Sequence, residues 1–271
     1  MAKDPNKPKK PLFKRVWFWI LIVFVVAAVA GGGSGSGSKS SVSSNSDSGQ
    51  GTSNSSDTSS QEESAPYEAK VARFDYYTNS IGNFEYHGIV EVKNTSDHDL
   101  YLDAASSSFD IEDANGHLIT TEKFISSCPD VIAPGETGYF YNGFGGDTAD
   151  MSVDASQTLN LVSNVNVEKA RVANVRYPVT DTAISVGSDG SMHVTGRVEN
   201  NTDVDDSMMY VQAELFDANG NILAIMGTTL TDLTAGSKQS FDISAWGISE
   251  TVTADQVASF QVVANKSAMQ F

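Results

Sequence analysis

The chain repeats itself, and that repetition limits its fold more than any other feature. Ala69-Lys-Val-Ala-Arg-Phe-Asp-Tyr76 matches Ala170-Arg-Val-Ala-Asn-Val-Arg-Tyr177 at an offset of 101 residues. Val92-Lys-Asn94-Thr-Ser-Asp97 is similar to Val198-Glu-Asn200-Asn-Thr-Asp203, and Asp-Ala-Asn-Gly occurs at 113–116 and again at 217–220. Pro134-Gly-Glu-Thr-Gly-Tyr-Phe140 matches Ala235-Gly-Ser-Lys-Gln-Ser-Phe241, and Phe144-Gly145 is followed in kind by Trp246-Gly247. Landmarks in one order, with small insertions between them, indicate a tandem duplication with units at 67–168 and 169–271. Each unit has roughly 100 residues, enough for a core of its own. Val172 and Val175 fall where a strand could be claimed by either unit.

Within each unit the apolar residues alternate. In Phe84-Glu-Tyr86-His-Gly88-Ile-Val90-Glu-Val92, positions 84, 86, 90 and 92 share one strand face. In Met209-Tyr-Val211-Gln-Ala213-Glu-Leu215 the odd positions do the same. Clusters of Gly, Asn and Asp follow each run, and no window of helical length keeps a 3.6-residue period. Short strands broken by turn signals predict an all-β sandwich in each unit.

The landmarks resemble the FxLYD family of bacterial surface domains, named for a Phe-x-Leu-Tyr-Asp strand end that runs into a turn. The second unit reads Ala213-Glu-Leu215-Phe216-Asp217-Ala-Asn-Gly220, keeping Leu and Asp and exchanging Tyr for Phe. The first reads Phe109-Asp-Ile111-Glu112-Asp113-Ala-Asn-Gly116, keeping Phe and Asp. The Val-x-Asn turn upstream and the Gly-x-x-x-x-Phe strand downstream also resemble that family. The resemblance implies two tandem immunoglobulin-like β-sandwiches and carries over no catalytic or binding residue.

Ahead of the repeats lies Val16–Gly33, which holds no charge, and six basic residues from Lys3 to Arg15 precede it. About 18 residues rise roughly 27 Å as a helix, near the hydrocarbon thickness of a bilayer. Basic flanks stay in the cytoplasm, so residues 1–15 are expected inside and 34–271 outside, with Trp17 and Trp19 at the inner interface. The same stretch also fits a signal peptide cleaved after Ala30. Residues 34–66 are dominated by Ser, Gly, Asn, Asp and Thr, too polar to fold, and predict a disordered linker. Asn54-Ser55-Ser56 matches a glycosylation pattern that Ser-rich sequence produces readily.

Charge narrows the partners. Outside residues 1–30 the chain carries 11 Lys and Arg against 33 Asp and Glu, so about −22. That balance excludes a basic footprint for nucleic acid. The partners expected are the membrane, through the anchor, and an envelope protein or glycan.

Candidate chemistry is sparse. Cys128 is the single cysteine, and His87, His98, His117 and His193 are scattered with no sequence neighbour suggesting a partner. Asp113, Asn115, Asp217 and Asn219 suit a hard cation, but a calcium-binding EF loop needs Glu at its twelfth position, where Phe124 and Thr228 stand. A hairpin turn with positive φ at Asn-Gly is the expectation instead, with Gly116 and Gly220 at the turning points. Asp203, Asp205 and Asp206 read as a solvated acidic loop or a cation site. Tyr139, Phe140, Tyr141 and Phe144 read as core or edge packing, with an exposed contact patch as the alternative. No hydrolase, phosphate or dinucleotide motif occurs. The expected function is a non-catalytic, membrane-anchored surface module with no metal, cofactor or catalytic residue. A structural partner of another envelope protein, and an envelope hydrolase, are the alternatives.

Overall fold

The computed structural model describes residues 65–79, 82–142, 156–188, 190–245 and 248–268. The basic tail, the expected anchor, nearly all of the expected linker, Phe144 and Trp246-Gly247 lie outside the described residues. Among the described residues no helix is long and apolar enough to cross a membrane. They form an all-β protein of antiparallel sheets, with one 3-10 turn at Ala254–Gln256.

The first half carries β1 (Tyr67–Thr78), β2 (Phe84–Asn94), β3 (Leu100–Leu102), β4 (Ser108–Asp113) and β5 (Leu118–Lys123). It continues through β6 (Ser126–Cys128), β7 (Val131–Ile132), β8 (Thr137–Tyr141), β9 (Leu159–Asn164) and β10 (Val167–Lys169). Its sheets run β1-β2-β8-β6, β10-β3-β7 and β5-β4-β9. The second half carries β11 (Val179–Val186), β12 (Met192–Glu199), β13 (Asp206–Phe216), β14 (Ile222–Leu233), β15 (Lys238–Ser244) and β16 (Ser259–Lys266). Its sheets run β11-β12-β15 and β14-β13-β16. This arrangement is consistent with a β-sandwich. The expected boundary near 168 falls inside β10, which pairs with β3, and Val172 and Val175 belong to no strand.

Alternation builds the cores as the sequence predicts. Phe84, Tyr86, Val90 and Val92 of β2 pack with Phe109, Ile111, Phe124 and Phe140 in one core. A side chain of Leu161 fills the position opposite Gly88, where an added Cβ would meet its Cδ1 at 2.5 Å. Met209, Val211, Ala213 and Leu215 of β13 anchor a second core with Val194, Val198, Phe241 and Ile243. Removing such side chains from water stabilises by about 1.5–3 kcal/mol each.

Asn94 and Asn200 hold corresponding loops, and both are fully buried. The Asn94 Nδ2 donates to the carbonyls of His98 (2.8 Å) and Ile132 (3.0 Å), while its Oδ1 accepts from the Ser96 amide and hydroxyl. Asn200 donates in the same way to Val204 (2.9 Å) and Leu233 (3.0 Å), and accepts from the Thr202 amide and hydroxyl. A buried carboxamide with both donors and its oxygen engaged costs nothing for burial and ties three segments together.

The Asp-Ala-Asn-Gly turns differ from the expectation in one respect. Positive φ occurs at Gly116 (78°) and Gly220 (80°) but not at Asn115 or Asn219. The Gly116 amide donates to the Asp113 carbonyl and the Gly220 amide to that of Asp217, so each is a tight turn closed by a left-handed glycine. Space around Gly220 is open. Gly220→Val therefore pays only a conformational cost, about 1–2 kcal/mol. Calorimetry should show a melting temperature about 2–8 °C lower, in a single transition. Chelator should leave the wild type unchanged.

Candidate functional site: the seam between the two halves

β13 alternates strictly, so Gln212 and Glu214 point away from the core that Val211, Ala213 and Leu215 enter. Gln212 is nevertheless 3% exposed and Glu214 1%. What covers them is the first half. Gln212 Nε2 donates to the Ser127 carbonyl (2.8 Å) and to the Tyr141 hydroxyl (2.9 Å). The Cys128 thiol donates to Glu214 Oε1 at 3.4 Å, and Gln261 donates to Oε2. An apolar cluster of Ile89, Cys128, Tyr139, Ile222 and Ile225 closes the space between the halves.

The seam continues with charged groups. Arg176 Nη2 donates to the Val131 carbonyl (2.7 Å) and pairs with the Glu136 carboxylate (3.1 Å). Asp130 accepts from Asn265 Nδ2 (2.6 Å) and the Ala268 amide (2.9 Å). Elsewhere on the seam, the Glu250 amide donates to the Tyr77 hydroxyl (3.1 Å), and the Thr251 hydroxyl donates to Asp75 (3.2 Å). Burial raises the pKa of Glu214 and of Asp130, and it drives the Cys128 thiol far upward. Tyr141 is pushed up to about 12 by the same cause. The Gln212 and Asn265 side-chain oxygens are buried without a donor, a local cost within the seam.

Against this geometry the sequence-predicted residues sort clearly. Cys128 is a buried thiol held protonated, the reverse of an activated nucleophile. Phe140 enters the first core, and Tyr139 and Tyr141 point the other way, as alternation requires. That other face is covered by the second half, so these tyrosines form no exposed contact patch. The acidic loop is not uniformly solvated. Asp205 caps the Ala235 amide (2.8 Å), while Asp206 is 3% exposed and accepts from the Tyr177 hydroxyl. In each Asp-Ala-Asn-Gly turn the Asp oxygen is taken by backbone: Asp113 by the amides of Asn115 and His117, Asp217 by those of Asn219 and Asn221. His117 adds its amide and ring to hold the Asp113 carboxyl down at about 2. Among the described residues no group of three or more His, Cys, Asp or Glu is placed to hold a metal ion.

The histidines do have partners. His98 Nδ1 lies 3.0 Å from Asp97, and His117 Nδ1 lies 3.0 Å from Asp113. His193 bridges Ser191 (3.0 Å) and Asp242 (2.8 Å) on the β12-β15 sheet. The order Ser-His-Asp is that of a nucleophile, a base and an orienting acid. The acid of a working triad is buried, however, and the Asp242 side chain is 61% exposed, so water screens it. Ser191 directly precedes β12 and His193 lies two residues on, so their common side was available from spacing alone; Asp242 depended on strand pairing. His87, on β2, is 7% exposed and its ring stacks on Tyr77 with centroids 6.0 Å apart.

Neither known protein families nor curated proteins provide a match to the chain. The seam itself is the site with the most buried chemistry, and its pH response is specific. Burial raises the Glu214 pKa, so its contribution to stability is present below the ordinary carboxyl range and is lost as pH rises through the raised pKa. Glu214→Gln keeps the shape without the titration. Urea midpoints should show the variant gaining on wild type as pH rises from about 4.5 to about 8.

Proposed function

We propose that this chain is a membrane-anchored, extracytoplasmic, non-catalytic interaction module of a bacterial cell surface. In this reading two tandem immunoglobulin-like sandwiches related to the FxLYD domains stand behind a helix at 16–33 and a Ser/Gly-rich spacer at 34–66. Support for the duplication comes from paired details: Asn94 and Asn200 make matching hydrogen bonds, and Gly116 and Gly220 close matching turns. Support for the anchor comes from the uncharged run and its basic flank.

The observation that carries the non-catalytic reading is where the buried reactive groups are spent. Cys128, Glu214 and Asp130 are buried, and together with the partly exposed Arg176 they join the halves to one another. A module built this way presents a stiff pair of domains, and the binding it performs is of an envelope glycan or protein.

Protease added to intact cells should release the folded part, cutting first within residues 34–66. A mature N-terminus at Gly31 would instead make the protein secreted. Purified protein screened against envelope glycans and peptidoglycan fragments should bind one class saturably. Stoichiometric recovery with one envelope protein, and no glycan binding, would point to an assembly role.

A further inference from the structure

The second half meets the first at a cleft that contains a buried histidine. The cleft, about 20 Å³, has room for roughly one water. Its polar wall carries Arg73, Asp75, His87 and Ser249, and its apolar wall carries Leu223 and Ile225. Cross-strand register sets the polar side, with Asp75 opposite His87 and Tyr77 opposite Glu85.

One hydroxyl links the two halves here. The Tyr77 hydroxyl donates to Glu85 (2.8 Å) and accepts the Glu250 amide (3.1 Å), and it lies 3.4 Å from His87 Nε2. Arg73 is already paired with Asp75 at 2.6 Å, and Asp75 also accepts from Thr251. The groups around the His87 ring are therefore Arg73, Asp75 and Tyr77 from β1, Glu85 from β2, Tyr141 and Asn142 at the end of β8, and Ser249 from the second half. From β14 the cleft is lined only by apolar side chains.

We propose that residues 248–251 are an acid-released latch, closed while His87 is neutral and loosened when His87 takes a proton. Neutral His87 leaves the Tyr77–Glu85 hydrogen bond undisturbed, and with it the acceptor that holds Glu250. A protonated Nε2 becomes a donor and competes for Glu85, whose Oε2 lies 4.0 Å away. Its charge also sits beside the Arg73 guanidinium and against the apolar side chains of Leu223 and Ile225. Opening the cleft hydrates that charge, and what must move is the segment tied to Tyr77 and Asp75.

The sign is consistent. Burial lowers the pKa of His87 from 6.5, so the closed form favours neutral imidazole. The contribution of the latch is present above that ordinary value and is lost as pH falls below it. Glu214 and Asp130 respond in the opposite sense, so acid that loosens the latch leaves the rest of the seam closed.

Hydrogen exchange on the full chain tests this. After correction for intrinsic rates, a peptide covering 248–253 should exchange about tenfold faster at about pH 5.5 than at about pH 7.5. His87→Phe keeps a ring beside Tyr77 and removes the titration, and exchange there should no longer respond to pH. His87→Gln serves as the second variant should the first melt early. Tyr77→Phe removes the acceptor for Glu250, and the segment should exchange fast at both pH values. Equal acceleration in wild type and both His87 variants, or no acceleration in wild type, overturns the latch.

Discussion

A β-strand has two faces, and from Val211 to Leu215 β13 keeps water from both. One face fills the core of its own half. The other carries Gln212 and Glu214, which the second half standing alone would leave wet. Burying a carboxylate is expensive unless it is neutralised or paired. Here burial raises the pKa and so disfavours the charge, while Cys128 and Gln261 give the carboxyl oxygens donors. The rest of the molecule follows from that covering. β6 and β8 must lie where they can reach Gln212, and Arg176 must turn back onto the first half. Asp130 must meet Asn265 and the Ala268 amide near the end of the second half.

Much of the fold was legible because its causes are local. Period-two alternation in β2 and β13 named the core residues. The Val-x-Asn landmark marked two carboxamides whose loops fold identically, and the Asn-Gly pairs marked both tight turns. The positive φ expected at asparagine proved unnecessary, because a turn that ends on glycine needs only that one left-handed residue.

The seam was not legible in the same way. Glu214 and Gln212 occupy positions that alternation assigns to solvent, and nothing within β13 says that another sheet lies over them. Tyr139 and Tyr141 posed the same question and met the same answer. Asp206 looked like one of three equivalent acids, yet the Tyr177 hydroxyl, 29 residues away, selects it for burial. His87 gave no sign of its role because Glu250 lies far off in the chain. Each of these depends on pairing between distant segments, and one sequence read alone holds no record of that pairing.

Among the described residues β1 is the edge strand of its sheet, paired on one side only with β2, and the chain enters it at Tyr67. A pull arriving through the preceding residues loads the open end of the β1–β2 hairpin. Load applied there parts the rungs one after another, beginning at Tyr67 and Asn94, instead of straining them together. The unzipping meets its first irregularity at the register shift between Val71 and Arg73. Just beyond it, Asp75 and Tyr77 are fastened to Thr251 and Glu250 of the other half. Force that peels the first rungs is thus handed from a hairpin to a cross-tie, and the second half becomes the brake on the mechanical failure of the first.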